Sequence, residues 1–421
     1  MFTFIHCADL HLDSPLRGLT SKGGAPVEEI RSATRRAFEK MVSAAIDQEV
    51  QFVVIAGDVY DGDWQDYTTA LFFNRQMARL RDRGIPVFLI QGNHDAASVI
   101  SRQLTLPDNV QLLSAVEPET RVIEQFRVAI HGQGFAQRET RENLVAGFPN
   151  ALPGYFNIGL LHTSAEGVDG HDRYAPCRVA DLVAKGYDYW ALGHIHQRRI
   201  LNRSPWIVFP GNVQGRHIGE TGAKGCMRVA VDDLGAVYGE PEFQELDVLR
   251  WVDCAVDVTG VTCWDGDLAQ RLVSAWASER DLAYDGLKAV RVRLQGKTPL
   301  HGELTADTDR VEAEIINSLQ SFVSGPLWIE RVRIETADID RTTTQQNDAL
   351  QMLVEGILSL RGDDAFVDEC LKHLTSMQNH LSDYIRSEGA LCLQSREHVR
   401  SLLNEVSPTL VAKLQGGGGR A

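Results

Sequence analysis

Five apolar runs in this chain each stop at a cluster of Asp, Asn and His. They are FTFIHCADLH at residues 2–11, QFVVIAGD at 51–58, PVFLIQGNHD at 86–95, YFNIGLLHTS at 155–164 and YDYWALGHIH at 187–196. Short continuous apolar runs separated by amphipathic stretches read as parallel strands buried on both faces, with helices as crossovers. The spacing predicts such helices over about residues 28–48 and 66–83. In open α/β sheets the carboxyl ends of neighbouring strands meet at one crevice, so polar residues far apart in sequence can converge there. An isolated H-x-H such as His194 and His196 is more often a hydrogen-bonded strand end than a ligand pair. Here four other runs end in matching chemistry.

The polar ends supply Asp9, His11, Asp58, Asn93, His94, Asp95, His162, His194 and His196. Oxygen and imidazole donors without thiolate suit hard or borderline divalent ions such as Mn²⁺, Fe²⁺ or Zn²⁺. Seven of these groups are too many for one ion and suit two, with one carboxylate bridging.

Taken in order, D-x-H, G-D, G-N-H-D, a lone His and G-H-x-H resemble the calcineurin-like metallophosphoesterases over residues 1 to about 250. Within that superfamily, HCADLHLD, AGDVYD and GNHD with the appended C-terminal parts resemble the SbcD-type DNA repair nucleases. The segments HTS at 162–164, YAPC at 174–177 and PGNVQGRHIGETGAKGC at 210–226 are similar to its YhaO-like branch.

The resemblance implies an α/β fold, a four-layer α-β-β-α sandwich, with a smaller α/β capping domain and C-terminal helices. It implies that Asp9, His11, Asp58 and His196 hold one ion and that Asp58, Asn93, His162 and His194 hold the other, Asp58 bridging. The cofactors would be two divalent metal ions, Mn²⁺ foremost, with Fe²⁺, Zn²⁺ or Mg²⁺ as alternatives. His94 matches the histidine that contacts the scissile phosphate and assists the leaving group. Asp61 and Asp95 are candidates for orienting imidazoles, with simple turn-forming roles as the alternative. Arg216 is the candidate for an additional phosphate contact.

The implied activity is a metal-dependent DNA exonuclease or endonuclease in DNA repair. Its implied partners are DNA, an SbcC-like coiled-coil ATPase docking on the C-terminal helices, and a second copy of the chain in a homodimer. Two alternatives stand beside it: a phosphatase or phosphodiesterase for small phosphoesters or phosphoproteins, and a non-catalytic DNA-end binding scaffold. Complete ligands with His94 count against the scaffold. The extra C-terminal parts count against the small-ester enzyme.

Composition tempers the nuclease reading, because a net charge of −15 over 421 residues is awkward for phosphate binding. No run of 18 apolar residues appears, and the N-terminus has no basic region leading into an apolar one, so the expectation is a cytoplasmic protein without a membrane span. Seven scattered cysteines without a C-x-x-C pair read as reduced packing thiols. His6 and His131 read as structural contacts, and His171 lies on a loop that would set substrate access.

The expected domains are residues 1–248, a capping α/β domain at 250–340, a helical segment at 344–415 and a flexible tail at 416–421. In the middle domain Val290, Val292 and Leu294 alternate with Arg291 and Arg293, predicting a strand with one buried and one wet, basic face. Two later stripes, Leu350, Leu353, Ile357 and Leu360, then Cys370, Leu374, Met377, Leu381 and Ile385, predict helices. Asp363 and Asp364 sit where an N-cap is wanted.

Overall fold

The structure is a computed structural model. It describes residues 1–14, 26–61, 67–97, 105–165, 174–279, 281, 284–321 and 325–339, then 356, 359–360, 362–378, 395–397, 399–403 and 406. Its strands are β1 (Phe2–Cys7), β2 (Phe52–Ile55), β3 (Val87–Leu89), β4 (Val110–Leu112), β5 (Glu119–Ile123), β6 (Val128–Gln133), β7 (Phe156–His162), β8 (Tyr189–Gly193), β9 (Arg199–Arg203), β10 (Trp206–Phe209), β11 (Gly225–Val231), β12 (Glu242–Glu245), β13 (Leu249–Asp257), β14 (Leu287–Lys297) and β15 (Leu327–Ala337). The described helices are α1 (Val27–Asp47), α2 (Tyr67–Arg81), α3 (Asn93–Ala97), α4 (Val179–Val183), α5 (Ala269–Ser278), α6 (His301–Ala306), α7 (Thr308–Gln320) and α8 (Asp364–Gln378).

Two six-stranded sheets carry the N-terminal part, ordered β12-β11-β1-β2-β3-β4 and β5-β6-β7-β8-β10-β9. The centre of each is parallel: β1 pairs with β2 and β2 with β3 in one, β6 with β7 and β7 with β8 in the other. The period of two sorts each strand's side chains between layers. Ile5, Val53 and Ile55 pack with Phe38 and Met41 of α1 and Phe73 and Met77 of α2. Phe4, Phe52, Val54 and Phe88 point the other way and meet Ile130, Ile158, Tyr189 and Val208 of the second sheet. Phe4 stacks on Phe52 with ring centroids 4.9 Å apart and planes 7° from parallel.

Beyond the second sheet, Trp190, Leu192, Ile207 and Phe209 are covered by Leu182 of α4 with Val145 and Phe148. The architecture is therefore α-β-β-α, as expected, with one outer layer made of two long helices and the other of short segments. Parallel register matters functionally because it brings the carboxyl ends of β1, β2 and β3, and of β7 and β8, to one side of each sheet.

Contacts divide the chain into two compact units, one of Met1–Asp253, Arg280–Arg291 and Gly325–Glu330, the other of Cys254–Glu279, Val292–Ser324 and Arg331–Ala421. A third sheet has the order β13-β14-β15. Its basic face departs from the expectation. Arg291 makes two hydrogen bonds to Glu330, at 2.8 and 3.0 Å, and both side chains are largely buried. Arg293 meets Glu335 at 3.4 Å. Cross-strand carboxylates thus neutralise what the strand alone presents as a cationic face.

Helix α5, Ala269–Ser278, is entered through a wide turn at Trp264–Leu268. Asp307 caps α7 by accepting the Arg310 N–H at 3.1 Å, and Asp363 caps α8 by accepting the Ala365 N–H at 2.8 Å. Of the two C-terminal stripes, Leu360, Cys370 and Leu374 are described. Leu350, Leu353, Ile357, Leu381 and Ile385, the side chain of Met377, the 416–421 tail and His171 lie outside the described residues. Cys7, Cys177, Cys226, Cys254, Cys263 and Cys370 are free thiols. No described helix is long and apolar enough to cross a membrane.

Candidate metal centre

The loops that leave β1 and β2 are laced together before any ligand is considered. Asp9 donates its N–H to the Gly57 carbonyl at 3.1 Å, and His11 donates to the Asp58 carbonyl at 3.0 Å. To aim their side chains into the crevice, Asp9, His11, Asp58 and His194 adopt left-handed backbone, with φ of 52°, 41°, 53° and 99°. Each such non-glycine conformation costs on the order of 1–3 kcal/mol and persists only where surrounding contacts enforce it.

The glycines before the ligands have a packing reason. A Cβ on Gly92 would fall 2.2 Å from Asp58 Oδ1, and one on Gly193 would fall 2.0 Å from the Ala56 carbonyl oxygen. The motifs G-N-H and G-H-x-H therefore need glycine where backbones of neighbouring strand ends nearly touch.

The expected ligands converge. Asp9, His11 and His196 place one donor atom each within 4.8 Å of one another, as do Asp9, Asp58 and His162. Asp58 Oδ2 stands 3.8 Å from His11 Nε2 and 3.4 Å from His162 Nε2, a central position suited to bridging. Asn93 Oδ1 is 2.9 Å from His162 Nε2. The His194 ring packs 5.2 Å from the His162 ring and 5.4 Å from that of Tyr174, centroid to centroid. Its backbone N–H donates to Asp9.

The arrangement fits cations. His162 Nδ1 donates to the Ala56 carbonyl at 2.9 Å, which turns the lone pair of Nε2 toward two more acceptors, Asn93 Oδ1 and Asp58 Oδ2. The Nε2 atoms of His11 and His196 face each other at 3.1 Å, and each ring has a carboxylate beside its Nδ1, Asp61 Oδ1 at 3.4 Å for His11 and Glu220 Oε1 at 2.7 Å for His196. Lone pairs that converge without donors between them are satisfied by a metal ion.

The electrostatics agree. Burial lowers the basicity of His162, but the charge of Asp58 and its hydrogen bond outweigh this and hold the group up at about 9. The field that favours a proton there favours a cation. Burial raises Asp58, and the surrounding imidazoles, His162 foremost, overcome it and hold the carboxyl well below the usual range. Burial and then the Arg216 charge push His11 down to about 3, leaving the neutral imidazole that a metal needs.

His94, the candidate phosphate contact, sits among these groups. Its backbone N–H donates to Asp58 Oδ1 at 2.9 Å, its Nδ1 meets Asp61 Oδ1 at 2.8 Å, and its ring lies 4.9 Å from that of His11. With His11 and Asp58 it forms a third set of donors within 4.8 Å. At 32% exposure it is the imidazole most open to a substrate among His11, His94, His162 and His196.

The two carboxylates proposed to orient imidazoles take different work. Asp61 stands between two imidazoles: beside its bond to His94 it lies 3.4 Å from His11 Nδ1, and Ser14 donates to it. Asp95 serves the turn instead, accepting backbone N–H groups of Val59, Tyr60 and Gly92 at 3.2, 2.9 and 3.1 Å. Burial and the nearby Asp58 charge push it up to about 7. Arg216 reaches the site, but its guanidinium is engaged by Glu220 at 2.9 Å and Asp61 at 3.7 Å.

Comparison with known proteins matches residues 2–198 to the calcineurin-like phosphoesterase family. Residues 2–198 form a calcineurin-like phosphoesterase domain. Residues 251–337 match the middle domain of metallophosphoesterase YhaO. The YhaO metallophosphoesterase of Bacillus subtilis (strain 168) is 40% identical over 261 residues, 61% of this chain and 63% of its own. Two proteins described as DNA double-strand break repair protein Mre11 are more distant. That of Sulfurisphaera tokodaii is 27% identical over 39% of this chain and 43% of its own, and that of Methanopyrus kandleri 26% over 63% and 61%. The chain spans less than two thirds of the length of each of these relatives.

The phosphoesterase domain thus belongs to a hydrolase family of metal-dependent enzymes, and the converging donors of this chain suit that chemistry. Two charged residues escaped the sequence reading. Glu220 bonds His196 Nδ1 at 2.7 Å, and Lys224 donates to the His196 carbonyl at 2.9 Å. Both belong to the 210–226 segment that also carries Arg216.

Proposed function

We propose that this phosphoesterase hydrolyses phosphodiester bonds in DNA, using two divalent metal ions. The observation that carries the diester chemistry is a partly exposed His94 fixed beside buried oxygen and imidazole donors numerous enough for two ions. Asp9, His11, Asp58 and His196 would hold one ion, Asp58, Asn93, His162 and His194 the other. Bound there, the ions would supply Lewis-acid polarisation of the phosphate and activation of water.

The chain's own groups do the rest. Asp61 accepts from His94 Nδ1, so Nε2 is the ring nitrogen that would meet a substrate. A cationic imidazole in that place neutralises charge developing on the phosphate and gives a proton to the departing oxygen. Burial alone would lower His94, but the Asp61 hydrogen bond and the Asp58 charge raise it, favouring the protonated acid.

DNA as substrate is supported by similarity to proteins described as Mre11 DNA double-strand break repair proteins. An ATPase partner of the SbcC kind, contacts through the C-terminal helices and a homodimer belong to the same proposal, as do Mn²⁺ as the working metal and a cytoplasmic location. A second reading, hydrolysis of small phosphoesters, is favoured by two observations of charge. The arginines of β14 are spent on Glu330 and Glu335, and the net charge is −15.

The deciding experiment is Mn²⁺-dependent digestion of single- and double-stranded DNA beside p-nitrophenyl phosphate esters, with His94→Ala as control. Cleaved DNA, lost in the variant, is the expected result. Intact DNA with cleaved small esters overturns the nuclease reading in favour of the second.

A further inference from the structure

The 210–226 segment, between β10 and β11, wraps His196 from three sides. Glu220 Oε1 accepts from His196 Nδ1 at 2.7 Å. Lys224 Nζ and the Asn212 backbone N–H both donate to the His196 carbonyl, at 2.9 and 3.4 Å. Glu220 is itself immobilised: Arg216 donates to Oε1 at 2.9 Å through its side chain and to Oε2 at 2.8 Å through its backbone, and Asn212 Nδ2 donates to Oε2 at 2.9 Å. The carboxylate is only 6% exposed. Such burial of an acid is sustained only where charge and hydrogen bonds compensate it, and here a guanidinium, an amide and an imidazole do so.

The same guanidinium reaches the other side of the centre. Arg216 Nη1 lies 3.7 Å from Asp61 Oδ2, and Asp61 Oδ1 holds His94 Nδ1 at 2.8 Å. Arg216 also comes within 3.2 Å of His196 Nδ1, but that nitrogen cannot both accept from Arg216 and donate to Glu220, and the shorter contact to the carboxylate prevails.

We propose that Glu220 is the positioning residue of His196. Its carboxylate fixes the tautomer that presents Nε2 to a metal ion, and Arg216 locks that carboxylate while tying it to the Asp61 that orients His94. The inference rests on His196 being a metal ligand. It gives the buried Arg216 a role other than the phosphate contact expected of it. Carboxylate partners of metal-binding histidines fix ring orientation and raise ligand basicity, and losing one typically weakens metal binding about 10- to 100-fold.

The test is Mn²⁺ titration by calorimetry on the full chain as wild type, Glu220→Gln and His196→Ala, with folding followed by circular dichroism. Glu220→Gln is expected to weaken one of two Mn²⁺ sites by about 10- to 100-fold while leaving the other within twofold. Unchanged affinity in Glu220→Gln, where His196→Ala loses a site, overturns the positioning role and leaves the ligand reading standing. Two intact sites in His196→Ala overturn the ligand reading itself. Should Glu220→Gln fail to fold, ¹⁵N spectra of the wild-type histidine side chains decide the matter. A protonated Nδ1 on His196 in the Mg²⁺-loaded protein supports the proposal, and a protonated Nε2 overturns it.

Discussion

Asp9 accepts the backbone N–H of His194 with both carboxylate oxygens, at 3.0 and 3.1 Å, across 185 residues of sequence. One residue follows a strand of the first sheet and the other a strand of the second. The contact fastens the two sheets at the point where the proposed ligands meet, so Asp9 has a structural duty beside the ligand role proposed for it.

Those two duties separate by substitution. Asp9→Asn keeps one oxygen acceptor and should retain the fold while losing most metal affinity. Asp9→Ala leaves a buried N–H without its acceptor and should also lower stability by about 1–3 kcal/mol. Urea unfolding beside metal titration checks this; equal stability of the two variants would contradict the fastening role.

Gly92 tests the close approach behind the G-N-H motif. In Gly92→Ala the added methyl meets Asp58 Oδ1 at 2.2 Å and the Asp58 backbone N at 2.7 Å, so the central carboxylate must move. Phosphoesterase activity should fall by at least about 100-fold, as a displacement near 1 Å commonly causes. Near-normal turnover would mean that Asp58 does not occupy a fixed place in the reaction.

His6 should make folding sensitive to mild acid. It is fully buried, with Nδ1 on the Tyr189 hydroxyl at 3.0 Å and Nε2 on the Leu192 carbonyl at 3.1 Å, and burial pushes it down to about 3. An imidazole in the unfolded chain titrates near 6.5. Between those values the unfolded state binds the extra proton, so stability increases with pH across this window and is lost as pH falls below about 6.5. The slope for one site approaches about 1.4 kcal/mol per pH unit. Thermal midpoints from pH 4 to 7 should fall less steeply in His6→Asn than in the wild type; parallel curves would assign the acid sensitivity elsewhere.

What could be read in advance follows the range of the interactions involved. The proposed ligands Asp9, His11, Asp58, Asn93, His162, His194 and His196 were legible because each interrupts or ends an apolar run, a local pattern that a buried parallel strand imposes. Asp61 was legible as a neighbour of the second run. Glu220 was not, because it lies 24 residues after His196 in a loop whose path is decided by tertiary contacts. The division of labour between Asp61 and Asp95 was equally hidden, since two aspartates near a turn look alike until one faces imidazoles and the other faces amides.

The arginines of β14 show the same limit and lead to the last prediction. Their alternation with Val290, Val292 and Leu294 marks a strand, yet nothing in it names the partner strand that supplies Glu330 and Glu335. Arg291 is 16% exposed and Glu330 14%, and the pair is joined by two hydrogen bonds. Removing one member strands a largely buried charge, whereas a contact to phosphate would be lost without damage to the fold. Arg291→Ala should therefore lower unfolding stability by about 1–3 kcal/mol and leave DNA affinity within twofold. Arg291→Ala together with Glu330→Ala should recover much of that loss, because no uncompensated charge remains. Weakened DNA binding with unaltered stability in Arg291→Ala would reverse the assignment and make this strand part of a nucleic-acid surface.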